Sequence, residues 1–143
     1  MTSISEFMTS DHRRCDEFFN QAEEAVSQGK WDEAQQGWSE FQQAIEHHFS
    51  MEEQVLFPAF EQATGSTAGP TSVMRMEHDQ MRQLFAQVGQ ALGAKDADTL
   101  LGASETLMIL MQQHNMKEEQ ILYPMSMRAL PDPDNTLNEM QQC

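Results

Sequence analysis

The sequence is poor in cysteine and in basic residues, and it has no long apolar run. Its two cysteines, Cys15 and Cys143, cannot build a disulfide framework, which favours a reducing compartment. Eight Lys and Arg against 23 Asp and Glu give a net charge of −15, and such a surface repels phosphate backbones and anionic lipids. No stretch reaches the roughly 18 apolar residues of a membrane span, and the start lacks the basic and apolar parts of a signal peptide. We therefore expect an acidic, cytoplasmic, single-domain protein with no nucleic-acid or membrane partner.

Glycine and proline are also scarce, with seven and five in 143 residues, and they mark the ends of the predicted elements. Short turns are predicted at Gly29 and Gly93, and a longer linker at residues 63–70. The last prolines of the chain are expected to end the ordered part. This predicts a domain over residues 1–130 and a flexible tail over residues 131–143.

Four long segments remain between these marks, and each carries apolar, histidine or glutamate residues at steps of three and four. Such spacing follows one face of an α-helix, whereas the alternation typical of a strand is missing. Segment by segment, the positions are Met8, His12, Cys15, Phe19, Ala22 and Val26; Trp38, Phe41, Ile45, His48, Glu52, Val55 and Ala59; Met74, His78, Met81, Phe85, Val88 and Leu92; and Leu107, Met111, His114, Glu118, Ile121 and Met125. The pattern predicts an all-α, up-down-up-down four-helix bundle.

The two halves of the sequence repeat with a shift of 66 residues. The clearest copy is HFSMEEQVLFP, which begins at His48, against HNMKEEQILYP, which begins at His114. The same shift relates His12 to His78. Two helical hairpins related by a pseudo-twofold axis are the expected result.

Six residues with titratable side chains occupy core-facing positions where leucine or isoleucine is ordinarily found: His12, His48, Glu52, His78, His114 and Glu118. Buried carboxylates are costly unless they are paired, protonated or bound to a metal. The residues of each HxxxE pair share a helix face because they are four positions apart. In the first hairpin, the helical rise places both histidines roughly 26 Å from the turn, at one level. We therefore expect all six side chains to converge in the middle of the bundle.

Four imidazoles with two carboxylates form a ligand set that suits iron, manganese or zinc. Six side chains are too many for one tetrahedral zinc ion. They divide evenly over two metals, with two histidines on each metal and two shared carboxylates. The donor atoms alone do not decide between iron and zinc, because zinc accepts the same atoms.

The order H…HxxxE…H…HxxxE of these six residues resembles the hemerythrin-like (HHE cation-binding) family over about residues 5–128. The resemblance implies a four-helix bundle that holds a non-haem centre of two iron ions with an oxo or hydroxo bridge. It also implies that the four histidines are terminal ligands and that Glu52 and Glu118 bridge the irons.

Two positions depart from the oxygen-carrying members of that family. Met74 stands where those proteins have a fifth histidine, one turn before His78. Their last helix also carries HxxxxD, and the matching residue here is Glu119. We prefer Glu118 as the bridge, because i+4 stays within about 40° of the His114 direction and i+5 swings roughly 140° away. Both departures match the simpler HHE proteins.

Several neighbouring residues are not predicted to be ligands. His47 points about 100° from the adjacent histidine and is expected at the boundary of the core or at the surface. Glu53 and Glu119 are expected to be solvated, with support of the ligands as the functional alternative. Met8 and Met74 are expected to form an apolar wall.

Three functions remain open. The leading hypothesis is a di-iron protein that handles or senses O2 or a related small molecule. The second is a di-iron enzyme that acts on peroxide or nitric oxide or repairs iron–sulfur centres. No catalytic residue is predicted for it, because the sequence offers no general base, nucleophile or reductase partner domain. The third is a zinc-stabilised bundle for protein interaction, and protein partners are unknown in every case.

Overall fold

The computed structural model describes residues 2–143, and every element in this range is helical. In chain order the elements are α1 (Ile4–Ser27), α2 (Trp31–Met51), the π-helical turn π1 (Glu52–Leu56), α3 (Phe57–Thr64), α4 (Pro70–Gly93), α5 (Ala97–Lys117), the π-helical turn π2 (Glu118–Leu122), α6 (Tyr123–Ala129) and α7 (Pro133–Gln141). The turn π1 joins α2 to α3, and π2 joins α5 to α6, without a break. The expected all-α class is confirmed. No helix in the described range is both long and apolar enough to cross a membrane.

The helix ends follow local sequence signals. The Ser3 hydroxyl accepts a hydrogen bond from the backbone N–H of Glu6 at 3.1 Å, and it caps α1. The carboxylate of Asp96 caps α5 in the same way, at 3.2 Å from the N–H of Thr99. Gly29 turns the chain after α1 with φ of +73°, a conformation that favours glycine. The short turns therefore lie where the sequence predicts them.

The long helices pack in pairs. Helix α1 lies along α2, and α4 lies along α5, so each half of the repeat forms a helical hairpin. The hairpins meet where α1 packs on α5 and α2 packs on α4. This arrangement brings one face of each long helix into a shared interior.

The interior contains two hydrophobic clusters, one on each side of the level of the four histidines. The first core includes Phe19, Phe41 and Phe85, whose rings meet edge to face at centroid distances of 5.2 and 5.6 Å. The second core includes Met8 and Met74. Along the chain, each histidine is flanked by a residue of one core and a residue of the other, and for the last histidine the second residue lies in the π2 turn that continues α5: Met8 and Cys15, Ile45 and Met51, Met74 and Met81, Met111 and Leu122.

The last residues of the chain, for which the sequence predicts a flexible tail, include a further helix. Residues 133–141 form helix α7, which packs against π1 and α1. The Asp132 side chain caps its first turn, and Pro133 suits this position because it needs no N–H partner. Leu137 and Met140, three positions apart, are buried in the second core. The division of the chain after residue 130 stays a prediction.

Candidate metal centre

The six residues singled out in the sequence form one buried cluster, with exposed fractions of at most 2 %. The histidines come from the four long helices, one from each of α1, α2, α4 and α5. The glutamates are the first residues of the two π-helical turns. The structure thus brings the six side chains together, and their role as ligands stays a prediction.

The inward-facing atoms form two groups that share Glu118. In the first group, Glu52, His78, His114 and Glu118 each place a ligand-capable atom within 4.8 Å of the others. The second group contains His12, His48 and Glu118. The Nε2 atom of His12 lies 3.0 Å from Oε1 of Glu118, and Nε2 of His114 lies 3.4 Å from the same oxygen. The Glu118 carboxylate therefore lies close to a histidine of each group.

Four buried atoms of the cluster have no hydrogen-bond partner among the described residues: Oε1 of Glu52, Nε2 of His78, Nε2 of His114 and Oε2 of Glu118. His78 Nε2 and Glu52 Oε1 are 3.1 Å apart, but they are not aligned for a hydrogen bond. Unpartnered buried polar atoms are rare, because each one loses its contact with water without a replacement. Two imidazole nitrogens and two carboxylate oxygens are atoms that iron, manganese or zinc would bind. The residues present therefore fit a metal.

Each histidine is also held from the outside. Its Nδ1–H donates to a carboxylate, so Nε2 is left to face the interior. The four pairs are His12 with Glu119 at 2.7 Å, His48 with Asp11 at 2.8 Å, His78 with Glu53 at 2.7 Å and His114 with Glu77 at 2.9 Å. A carboxylate in this position fixes the ring and makes a histidine a better metal ligand. The pairs follow the internal repeat, since its shift relates the first to the third and the second to the fourth.

Basic residues hold three of these outer carboxylates. Arg14 donates to Asp11 at 2.9 Å, and Lys117 forms an ion pair with Glu77. Arg82 binds Glu53 and Glu46 together, with one contact at 3.0 Å to each. Three of the chain's eight Lys and Arg residues are therefore used beside the cluster.

The π-helical turns arise where a proline enters a continuing helix. Pro58 and Pro124 lack an N–H, and their rings crowd the carbonyl four residues earlier. The helix widens at this point, so that the N–H of Phe57 bonds the carbonyl of Glu52, and the N–H of Tyr123 bonds that of Glu118. Such turns are frequent at functional sites. Here each one begins at a glutamate of the cluster.

The second π turn also places Tyr123 in the cluster, a residue that the sequence analysis missed. Its side chain is fully buried, and its hydroxyl lies 2.8 Å from Oε2 of Glu52 and 3.0 Å from Oε1 of Glu118. Along a straight α-helix, i+5 would point roughly 140° away from Glu118. The wider turn returns i+5 to the same face.

Two acidic residues were missed as well, Asp11 and Glu77. Each stands directly before a histidine of the cluster, but it pairs with a histidine on a neighbouring helix. The recurrence of an acidic residue before His12 and His78 is the sequence signal that could have found them. For Glu53 and Glu119, the supporting role is the one that the geometry favours.

Charges within the cluster shift its pKa values in opposite directions. Burial disfavours a charged imidazole, but the Glu52 carboxylate and the bond to Asp11 raise the pKa of His48 to about 10. Burial also opposes charge on His114, and the Glu118 carboxylate raises its pKa to about 10. Burial and the charge of Glu118 raise the pKa of Glu52. Burial would raise that of Glu118 too, but His114 holds it well below its usual range. Without a metal, the cluster therefore holds protons that a metal must displace.

Apolar side chains surround the cluster. The ring of Phe49 stacks on His78 at a centroid distance of 3.8 Å. Met8 and Met74 are buried, as expected for an apolar wall. Cys15 is a buried free thiol, and burial raises its pKa to about 12. His47 is exposed and lies outside the cluster.

Comparison with known proteins places this arrangement in a family. The family described as hemerythrin HHE cation binding domain matches residues 3–126. This range includes all six residues of the cluster and both π turns. No curated protein and no solved structure gives a match.

Proposed function

The chain belongs to the hemerythrin HHE cation-binding domain family, and on this premise we propose that it binds two iron ions in the buried cluster. The four histidines would serve as terminal ligands, and Glu52 and Glu118 would be shared by the two ions. With this centre, the protein would handle or sense O2 or a related small molecule such as peroxide or nitric oxide. The four long helices alternate in direction and hold the ligands at one level.

The observation that carries this proposal is the set of four unpartnered buried atoms on Glu52, His78, His114 and Glu118. Two of them are imidazole nitrogens and two are carboxylate oxygens, so a metal would satisfy all four at once. The outer carboxylates support the same conclusion, because each holds an Nε2 atom toward the interior.

The burial of the cluster favours a small ligand. Its six residues are at most 2 % exposed, so a bulky substrate has no contact with them. The Phe49 ring on His78 and the buried Met74 give this part of the interior an apolar character. A small, weakly polar molecule enters such an environment at little desolvation cost. Bound iron would supply the redox chemistry, and the protein residues orient it and exclude bulk water.

Metal analysis of the purified protein, combined with its visible absorption, tests the proposal. We expect iron, with the charge-transfer absorption of a di-ferric centre that shifts on addition of azide. Glu118→Ala is the matched control and should lose this absorption. A colourless zinc protein would contradict the iron centre and favour a structural role for the metal. Steady turnover of peroxide or nitric oxide would contradict simple handling or sensing and favour an enzyme.

A further inference from the structure

The hydroxyl of Tyr123, the only tyrosine of the chain, contacts both glutamates of the cluster but the histidines of only one half. It lies 2.8 Å from Oε2 of Glu52, 3.0 Å from Oε1 of Glu118, 3.3 Å from Nε2 of His12 and 3.4 Å from Nε2 of His48. In the described range it forms no hydrogen bond with either of the other two histidines. The histidine contacts therefore place the phenol oxygen on the side of His12 and His48.

In the proposed centre the two metals share Glu52 and Glu118, so each metal has two histidines and two carboxylates. The Tyr123 oxygen adds to one of these sets, because it contacts the histidines of that set and not those of the other. Donor atoms held about 2.1 Å from one ion lie roughly 3.0 to 3.4 Å apart, which agrees with the distances from the Tyr123 oxygen to His12, His48 and Glu118. With Tyr123, one metal has five protein donors and the other has four.

The internal repeat explains why only one half has this oxygen. The position that matches Tyr123 in the first half is Phe57, whose ring has no hydroxyl. The four unpartnered atoms of the cluster also belong to the four-residue group, which lies on the Phe57 side of the repeat. The two halves thus differ in their polar contacts, although their histidines and glutamates match.

We propose that the Tyr123 oxygen is an additional metal donor on the side of His12 and His48, so that the two metal positions are not equivalent. The inference rests on the proposed metal centre and adds a protein ligand to it. The other position has Phe57 and no protein oxygen at the matching place. That position is therefore the one left for an exogenous molecule.

Zinc binding to protein labelled with 13C at the tyrosine ring carbon that bears the hydroxyl tests this inference. One tyrosine gives one resonance, and Zn²⁺ is diamagnetic and accepts the same donor atoms. We expect the resonance to shift while one of two zinc equivalents binds, and to stay constant while the other binds. A resonance unchanged after both equivalents are bound would overturn the inference.

Competition for Zn²⁺ with a chromophoric chelator gives an independent measurement. Tyr123→Phe, which copies the residue of the first half, should weaken one of the two sites by tenfold or more and leave the other within about twofold. Ser126→Ala is the control, since it removes a buried hydroxyl that bonds only the carbonyl of Leu122. Both sites should keep their affinity in this variant.

Equal weakening of both sites by Tyr123→Phe would overturn the inference, because the phenol would then act only through its hydrogen bonds to Glu52 and Glu118. Two tight sites that Tyr123→Phe leaves unchanged would overturn it as well, with the metal centre intact. Wild-type protein that takes up no zinc and no iron would overturn the proposed metal centre, and this inference with it.

Discussion

The Nδ1 atom of His12 lies 2.7 Å from a carboxylate oxygen of Glu119, although 107 positions separate the two residues. The repeat produces the same relation between His78 and Glu53, at 2.7 Å. Glu119 and Glu53 each come directly after a glutamate of the cluster. Of two adjacent glutamates, one therefore faces the interior of the cluster, and the other hydrogen-bonds a histidine of another helix from outside the cluster.

The two glutamates of a pair should differ in their effect on metal binding. Glu118→Ala removes an atom that both groups share, so we expect loss of at least one metal equivalent. Glu119→Ala leaves every inner atom in place and removes only the partner of His12. We expect it to keep two equivalents with affinity lowered about 10- to 100-fold. Elemental analysis and chelator competition measure the two effects.

His47→Ala is the control for these variants, because the side chain is exposed and outside the cluster. It should bind metal as the wild type does. Equal losses in the Glu118, Glu119 and His47 variants would show that the separation of inner and outer residues is wrong.

The stability of the metal-free protein should decrease as the pH rises above neutrality. The folded-state pKa values of His48 and His114 are raised to about 10, above the ordinary value of 6.5. Groups of this kind stabilise the fold fully below about pH 6.5, and their contribution is lost as the pH rises toward 10. Urea unfolding of chelated protein at pH 6, 8 and 10 measures the effect.

At acidic pH, the stability of the metal-free protein should instead decrease as the pH falls. The pKa of Glu53 is lowered to about 2, because its bonds to His78 and Arg82 outweigh the opposing effect of burial. Its contribution is present above the ordinary value near 4.5 and is lost as the pH falls toward 2. Maximum stability of the chelated protein is therefore expected between about pH 4.5 and 6.5. A free energy of unfolding that increases from pH 6 to pH 10 would contradict the assigned ion pairs.

Metal removal should lower the melting temperature. A metal that binds only the folded protein contributes about 2.7 kcal/mol at each site when its free concentration is a hundredfold above Kd. For two sites we expect a difference of roughly 10 °C or more between loaded and chelated protein at neutral pH. Differential scanning calorimetry checks this. Identical melting temperatures would mean that the folded protein is as stable when protons occupy the cluster as when metal does.

Helix α7 should contribute to the stability of the whole domain. Met140 is fully buried in the second core, so Met140→Ala should lower the free energy of unfolding by about 2–5 kcal/mol. Glu139→Ala, on an exposed position of the same helix, is the control and should change it by less than about 0.5 kcal/mol. Equal, negligible effects in urea unfolding would favour the flexible tail that the sequence analysis predicts.

Much of the cluster could be predicted from the sequence, because the positions of its residues depend on regular helical geometry. The i, i+4 spacing of His48 and Glu52 and the repeat of 66 residues place six side chains on four core-facing stripes. These arguments need no knowledge of contacts between helices. The structure agrees with them in the burial and convergence of all six residues.

The missed features depend on departures from that geometry or on contacts between helices. Tyr123 reaches the cluster only because a π turn alters the direction of the residues after Glu118. Asp11 and Glu77 lie beside histidines in the sequence, yet their partners are on other helices. Helix α7 has only nine residues, and its few apolar positions are too short a pattern to distinguish it from a tail.

The most direct test of the metal centre is the ratio of iron to polypeptide after anaerobic loading of metal-free protein with Fe²⁺ and removal of unbound metal. We predict two iron ions per wild-type chain, and at most one in both Glu52→Ala and Glu118→Ala. A wild-type ratio near zero, or a ratio of two retained by both variants, would contradict a di-iron site built on these residues.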